Sequence, residues 1–247
     1  MTDLLTRAQG LFQQLGEFLR LGGPVVAILL CLSVIATAIV LFKLIQFWQA
    51  RVGVHGRAAD AARLWQHGAI ADAIERCSSS PGLLCQMLTQ TMRYLARPDR
   101  LSRDEITREI SRQSAYRLHE LQRGLRALDV IAQVAPLLGL FGTILGMIDA
   151  FQKLQAAGSS VDPSLLAGGI WTALLTTAAG LVVAMPVSAA LTWLETRLEG
   201  ERVAIETHIG ALMSRAHQEE RAAARPAAYE NLMRERRPPL GEGAHAY

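Results

Sequence analysis

Charge is what this chain has least of. Only 19% of its 247 residues are Asp, Glu, Lys or Arg, against about 25% in an average soluble domain. The deficit is local. Residues 24–42, 130–148 and 163–194 contain no Asp, Glu, Lys, Arg or His. Roughly 20 apolar residues cross the hydrocarbon core of a bilayer as a helix, and each run reaches or approaches that length. A water-soluble globular domain is therefore excluded. So is a secreted protein whose only apolar run is a leader, because two of the runs lie far downstream. Ala36-Thr37-Ala38 has the small-residue pattern of a cleavage site. The run around it is longer than a signal core and begins late, so it reads as a retained span.

Other absences narrow the chemistry. The three cysteines, Cys31, Cys77 and Cys85, form no even framework. Cys77 and Cys85 have no second ligand pair or histidine at zinc spacing, and read as packing residues. No nucleophile elbow, phosphate loop or dinucleotide fingerprint occurs. The expectation is no enzyme, no cofactor, no metal and no nucleic-acid partner. Ionisable side chains are the usual proton carriers within spans, and the three uncharged runs hold no Asp, Glu, Lys, Arg or His. Asp129 and Asp149 stand only at their edges. A proton crossing here would need its titrating group from another chain.

The charges that are present set an orientation. Residues 48–127 hold Arg51, Arg57 and Arg63 after the first run and Arg117, Arg123 and Arg126 before the second, with no lysine. Basic residues near span ends stay in the cytoplasm. Residues 48–127 and the C-terminal tail are thus expected inside, with the N-terminus and the short 152–169 connection outside.

Leu4, Leu5, Ala8, Leu11, Phe12, Leu15, Phe18 and Leu19 recur at helical spacing before Gly22-Gly23-Pro24, which predicts an amphipathic helix in the outer interface. Ala58 to Cys77 and Leu83 to Ala96 read as two short helices joined by Ser78-Ser79-Ser80-Pro81-Gly82. Ser102-Arg103-Asp104-Glu105 is a capping box. Behind it the 3–4 spacing of Ile106, Ile110, Leu118, Leu121, Leu125 and Leu128 runs on with Gly124 as a weak interruption. One continuous helix from Ser102 to about Phe151 is predicted. Asp162-Pro163 starts the third span, with Asp162 as N-cap. The stripe of Leu194, Leu198, Ile205, Ile209, Leu212 and Ala216 carries that helix inward to about Arg221. From Arg225, with Pro226, Pro238 and Pro239, disorder is expected.

Within the second run Ala132, Ala135, Pro136, Gly139, Gly142, Thr143, Gly146 and Ala150 share one broad helical face. Small residues let helix backbones approach closely in lipid, so Gly139, Gly142, Gly146 and Pro136 predict a close neighbour. Gly180 and Pro186 belong to the same kind of contact on the third run. That run also carries Thr172, Thr176, Thr177 and Ser188. A lone threonine in a span often bonds its own backbone. Thr143 and Thr177, however, stand at similar depth below the outer ends of their spans. Adjacent helices would bring both hydroxyls to one level, a polar ring in an apolar wall.

Two segments carry a resemblance. The stretch from Val134-Ala135-Pro136-Leu137-Leu138-Gly139 through Gly142-Thr143-Ile144-Leu145-Gly146 to Phe151, and the stretch from Gly168-Gly169-Ile170-Trp171-Thr172 through Thr176-Thr177-Ala178-Ala179-Gly180 to Pro186, resemble the second and third spans of the MotA/TolQ/ExbB proton channel family. Span order and total length are similar to its ExbB/TolQ branch. The resemblance implies an inner-membrane ring of identical subunits, five in this family, around a pair of single-span ExbD/TolR-type helices whose Asp carries the proton. Work would pass to a TonB- or TolA-type protein acting on the outer membrane. The family's pore-facing threonines match Thr143 and Thr177. Where ExbB and TolQ proteins carry a Glu five residues before the second threonine, this chain has Thr172.

The expectation is an all-α membrane protein with three transmembrane helices, spans two and three extended as long cytoplasmic helices. Its segments are a periplasmic interfacial helix (1–23), the first span (24–47), a cytoplasmic helical domain (48–127), the second span (128–151), a periplasmic connection (152–163), the third span (164–194), a cytoplasmic helix (195–224) and a tail (225–247). The expected function is that of ring subunit in a motor driven by the proton motive force. The rival is a scaffold ring that does not conduct.

Overall fold

The computed structural model describes residues 2–97, 102–156 and 163–235, and among them the regular structure is entirely α-helical. The helices are α1 (Thr2–Gln49), α2 (Gly56–Gln66), α3 (Ile70–Ser78), α4 (Leu83–Leu95), α5 (Arg103–Gln122), α6 (Leu125–Ala156) and α7 (Pro163–Glu235). Their contacts form two units. One comprises Met1–Gln49 with Leu118–Glu199, the other Ala50–Arg117 with Gly200–Tyr247.

The first unit is built from the uncharged runs. Val25 and Leu29 of α1, Ala135 and Leu138 of α6, and Ala179, Val183 and Ala184 of α7 pack together. Among the described residues, three helical stretches are long and apolar enough to cross a membrane: Gly23–Gln49, Arg103–Ala156 and Leu166–Gln218. Their apolar windows are only 22%, 22% and 28% buried within the chain, so most of that surface faces outward. Phe42, Leu137, Trp171 and Val182 are each more than half exposed. Water would oppose such exposure at roughly 25 cal/mol per Å², and lipid would not. The chain is an all-α membrane protein with three spans.

Gly23 breaks α1 with φ 61°, just before Pro24, where Gly22-Gly23-Pro24 signals a helix end. The capping box also forms: Glu105 N–H donates to Ser102 Oγ at 3.3 Å, and Ser102 N–H to Glu105 Oε2 at 2.8 Å.

Three expectations need correction. The single helix from Ser102 to Phe151 is two helices, because Gly124 adopts φ 90°. At this break the buried Lys43 of α1 donates to the Leu121 carbonyl at 2.9 Å and to Gln46 Oε1 at 2.7 Å. A cation at the C-terminal end of α5 satisfies a carbonyl there and complements the helix dipole. The helix expected over Ala58 to Cys77 is also two helices. Gly68 takes φ 86°, with Ala69 N–H on Leu64 O and Gly68 N–H on Trp65 O, the paired bonds of a Schellman stop. Finally, α7 continues to Glu235, so residues 225–235 of the expected tail are helical; 236–247 lie outside the described residues. Asp162, the expected N-cap of α7, also lies outside them.

In the second unit, Ile106 and Ile110 of α5 meet Ile209 and Met213 of α7, with Tyr94 and Leu95 of α4 against them. Ala58, Ala61, Trp65, Ala73, Leu84, Leu88 and Met92 fill the interior around α2, α3 and α4.

Candidate functional site

Helices α6 and α7 meet along their small residues. A Cβ on Gly180 would lie 2.6 Å from the Ala135 carbonyl oxygen, and one on Gly139 would lie 2.9 Å from the Thr176 carbonyl oxygen. A Cβ on Gly142 would lie 2.6 Å from Thr176 Oγ1, and one on Gly146 3.1 Å from Ala173 Cβ. Further along, Gly169 faces Ala150. The pairs advance along α6 as they retreat along α7, so the helices are antiparallel. The close neighbour of the α6 glycine face is thus a helix of the same chain. Pro136 lies inside α6 without ending it. Pro186, expected to pack, is exposed within the chain.

This seam positions the threonines. Thr177 Oγ1 donates across it to the Gly139 carbonyl at 3.2 Å. Thr143 Oγ1 donates to the next carbonyl of α6, Leu140, at 2.6 Å. The two hydroxyls therefore sit on consecutive carbonyls of one helix, at one level, and neither residue is fully buried. A hydroxyl that donates once keeps lone pairs to accept from a water or a protonated group. The Thr172 hydroxyl donates to the Gly168 carbonyl of α7, at 3.0 Å, and not to α6.

Thr176 is the residue that sequence reasoning passed over. It is 2% exposed, and its hydroxyl lies 2.7 Å from the Ala173 carbonyl and 3.3 Å from that of Gly139. Its signal was present: it stands three residues after Ala173 and four before Gly180, on the small-residue face of α7. Asp149 pairs with Lys153 at 2.7 Å, and Asp129 accepts from Gln133 at 2.7 Å. Both acids are thus engaged locally at the ends of the uncharged run. Among the described residues, no cluster of three His, Cys, Asp or Glu is placed to hold a metal.

A separate polar centre lies in the second unit. Glu201 of α7 is 1% exposed. Its carboxylate accepts from Gly53 N–H at 2.8 Å and Leu84 N–H at 3.3 Å, and lies 3.0 Å from His55 Nε2. One side chain thus holds the turn after α1 and the first turn of α4, two places where backbone amides lack helical acceptors. Its signal was an acid set three residues after Leu198 and four before Ile205, on the apolar stripe. Glu201→Ala should strand the buried Leu84 amide, a loss worth about 1–3 kcal/mol, and the part-buried Gly53 amide. A lowered Tm of the detergent-solubilised protein is expected, with Glu201→Gln milder because one oxygen still accepts. An unchanged Tm in the alanine variant would mean that water replaces the carboxylate.

Comparison with known proteins follows the same segments. A sequence model of the MotA/TolQ/ExbB proton channel family matches residues 81–207, just over half of the chain. The biopolymer transport protein exbB1 of Vibrio cholerae is 46% identical over 71 residues, 29% of this chain and 31% of that protein. A putative biopolymer transport protein ExbB homolog of Methanothermobacter thermautotrophicus is 35% identical over 105 residues, 42% of this chain and 37% of that protein. The biopolymer transport protein ExbB of Neisseria meningitidis serogroup A is 26% identical over 187 residues, 70% of this chain and 83% of that protein. The stronger identities thus span only about a third of the relatives' length, and the weaker one most of it.

Proposed function

Because the chain belongs to the MotA/TolQ/ExbB proton channel family, we propose that it is the ring subunit of an inner-membrane motor driven by the proton motive force. Five copies would surround a pair of ExbD/TolR-like single-span helices and energise a TonB- or TolA-like protein. The observation that carries this reading is the placement of the Thr143 and Thr177 hydroxyls on consecutive α6 carbonyls, within runs, 130–148 and 163–194, that hold no Asp, Glu, Lys, Arg or His. A carboxylate on the partner helix is costly against an apolar wall when charged, and much less so when protonated. Hydroxyls at one level provide a station where that carboxyl, or a water bound to it, exchanges its proton. The partner then moves with its charge state.

Two experiments test this reading. Loss of energy-dependent uptake of iron chelates in a deletion strain supports a TonB-type output. Detergent sensitivity with normal uptake assigns a TolA-type output instead. A strain normal in both respects overturns the motor. Orientation is tested separately. The arginine-rich 48–127 segment supports an outside N-terminus and an inside C-terminus. A reporter active only outside the cytoplasm should work when fused near residue 158 and fail at 97 and at 230. Activity at 97 would reverse the topology.

The second reading is a ring that stabilises its partners without conducting. Thr172 favours it. The residue is uncharged where the family's ExbB and TolQ members typically carry a Glu.

A further inference from the structure

The first uncharged run ends, and the second begins, beside the break between α5 and α6. Lys43 is the first charged residue after the run 24–42, and Arg123, Arg126 and Asp129 are the last three before the run 130–148. The structure brings the two ends together. Lys43 Nζ donates to the Leu121 carbonyl at 2.9 Å, and a Cβ on Gly124 would lie 3.3 Å from Lys43 Cε. Basic residues that close an apolar span lie at the depth of the lipid headgroups.

Lys43 is 3% exposed, and a buried ammonium is costly without a counter-charge. Its two acceptors, the Leu121 carbonyl and Gln46 Oε1, are neutral. The C-terminal end of α5 offsets the charge only in part, because a helix dipole amounts to about half an elementary charge. Arg123 follows Leu121 by two residues and precedes Gly124, and Arg126 lies in the first turn of α6. Both arginines are exposed. Two acids, Glu120 and Asp129, stand near these three cations in the sequence, and Asp129 already accepts from Gln133. Apolar side chains border the cations: Phe42 and Ile45 of α1 and Val130 of α6 are each more than half exposed.

We propose that the α5–α6 break, closed by Lys43, is a binding site for the phosphate of an anionic phospholipid, held by Arg123 and Arg126. Guanidinium groups take phosphate oxygens through paired N–H···O bonds. Lys43 fixes the break that carries both arginines and adds its own uncancelled charge. The exposed apolar side chains on either side suit acyl chains, which a free anion lacks. Basic pockets between spans are general binding places for anionic headgroups. This site is independent of the proton path: it requires only that these span ends lie in a bilayer.

The test titrates the full-length protein in detergent micelles with dioleoylphosphatidylglycerol, with dioleoylphosphatidylcholine and inorganic phosphate as separate arms. Native mass spectrometry reads bound lipid, and thermal unfolding reads its effect. Phosphatidylglycerol should bind about 25-fold more tightly than the neutral lipid, at about fivefold for each of two cations. Arg123→Gln with Arg126→Gln should remove that excess and leave phosphatidylcholine binding unchanged. Lys43→Met should also weaken phosphatidylglycerol binding; if that variant misfolds, the pair of exposed arginines decides alone. Arg93→Gln with Arg97→Gln, two exposed arginines of the other unit, should change nothing. Equal binding of the two lipids would overturn the site. So would parental affinity in the Arg123/Arg126 variant, or an equal loss in the Arg93/Arg97 control. Inorganic phosphate that raises Tm as far as the lipid at the same concentration would also overturn it, assigning the cations to a free anion.

Discussion

Gly180→Leu should prevent α7 from seating on α6 and leave little folded protein in the membrane. The added Cβ alone would lie 2.6 Å from the Ala135 carbonyl oxygen and 3.1 Å from Gly139 Cα. Both are backbone atoms of a helix, so no rotamer change relieves the contact. Overpacking of this kind costs about 1–3 kcal/mol and occasionally more. The leucine should exceed the upper figure, with Gly180→Ala inside the range. Gly142→Leu meets the Thr176 side chain, part of which can turn away, so it should be less severe. The control is Gly200→Ala. Gly200 is exposed, with nothing within 4 Å of the added carbon. That change should be neutral or stabilise the helix by up to about 1 kcal/mol. Thermal unfolding in detergent, with membrane yield beside it, reads all four. If Gly180→Leu is as stable as its parent, α6 and α7 do not approach as described. Because the glycine seam lies within one chain, these variants should lose stability before any oligomer dissociates.

The second large effect is functional. Thr143→Val with Thr177→Val keeps side-chain shape and removes the two hydroxyls that sit on the Leu140 and Gly139 carbonyls. A hydroxyl meeting a charge or water in an apolar wall contributes about 1–3 kcal/mol. Removing both should abolish energy-dependent transport while the protein still accumulates in the membrane. Thr176→Val is the structural contrast. Its hydroxyl is buried between α6 and α7, so its loss should lower Tm more than transport. Thr172 separates conduction from scaffolding. If the partner Asp alone carries the proton, Thr172→Val is mild and Thr172→Glu is tolerated. If Thr172 orders water in place of a carboxylate, Thr172→Val should be as severe as the double variant. Wild-type transport in a double variant that accumulates normally would sink the threonine-lined path.

What could be read without coordinates rests on strong, local physics. Charges are too costly in hydrocarbon to be scattered at random, so their absence over 24–42, 130–148 and 163–194 delimits the three spans. The Ser102/Glu105 capping box and the stop at Gly23 follow from bonds and dihedrals within a few residues. That the Thr143 and Thr177 hydroxyls share one level was legible from depth along the two spans, and the family resemblance selects the same pair. The small residues announced a close helix contact, but not whose helix it was. That depends on how one chain folds back, and α7 of the same chain supplies the neighbour.

The remaining features were decided by contacts between distant parts of the sequence. A lone glycine in a helical pattern weakens it by only about 1 kcal/mol, too little to end a helix by itself. Gly124 ends one where Lys43, far earlier in the chain, takes the Leu121 carbonyl. Glu201 reads as one more acid on a long helix until Gly53 and Leu84 bring their amides to it. In each case sequence supplied the polar group, while only the tertiary structure supplied its partner. A buried polar group without a partner is costly, which is why the fold, and not local propensity, settles what these residues do.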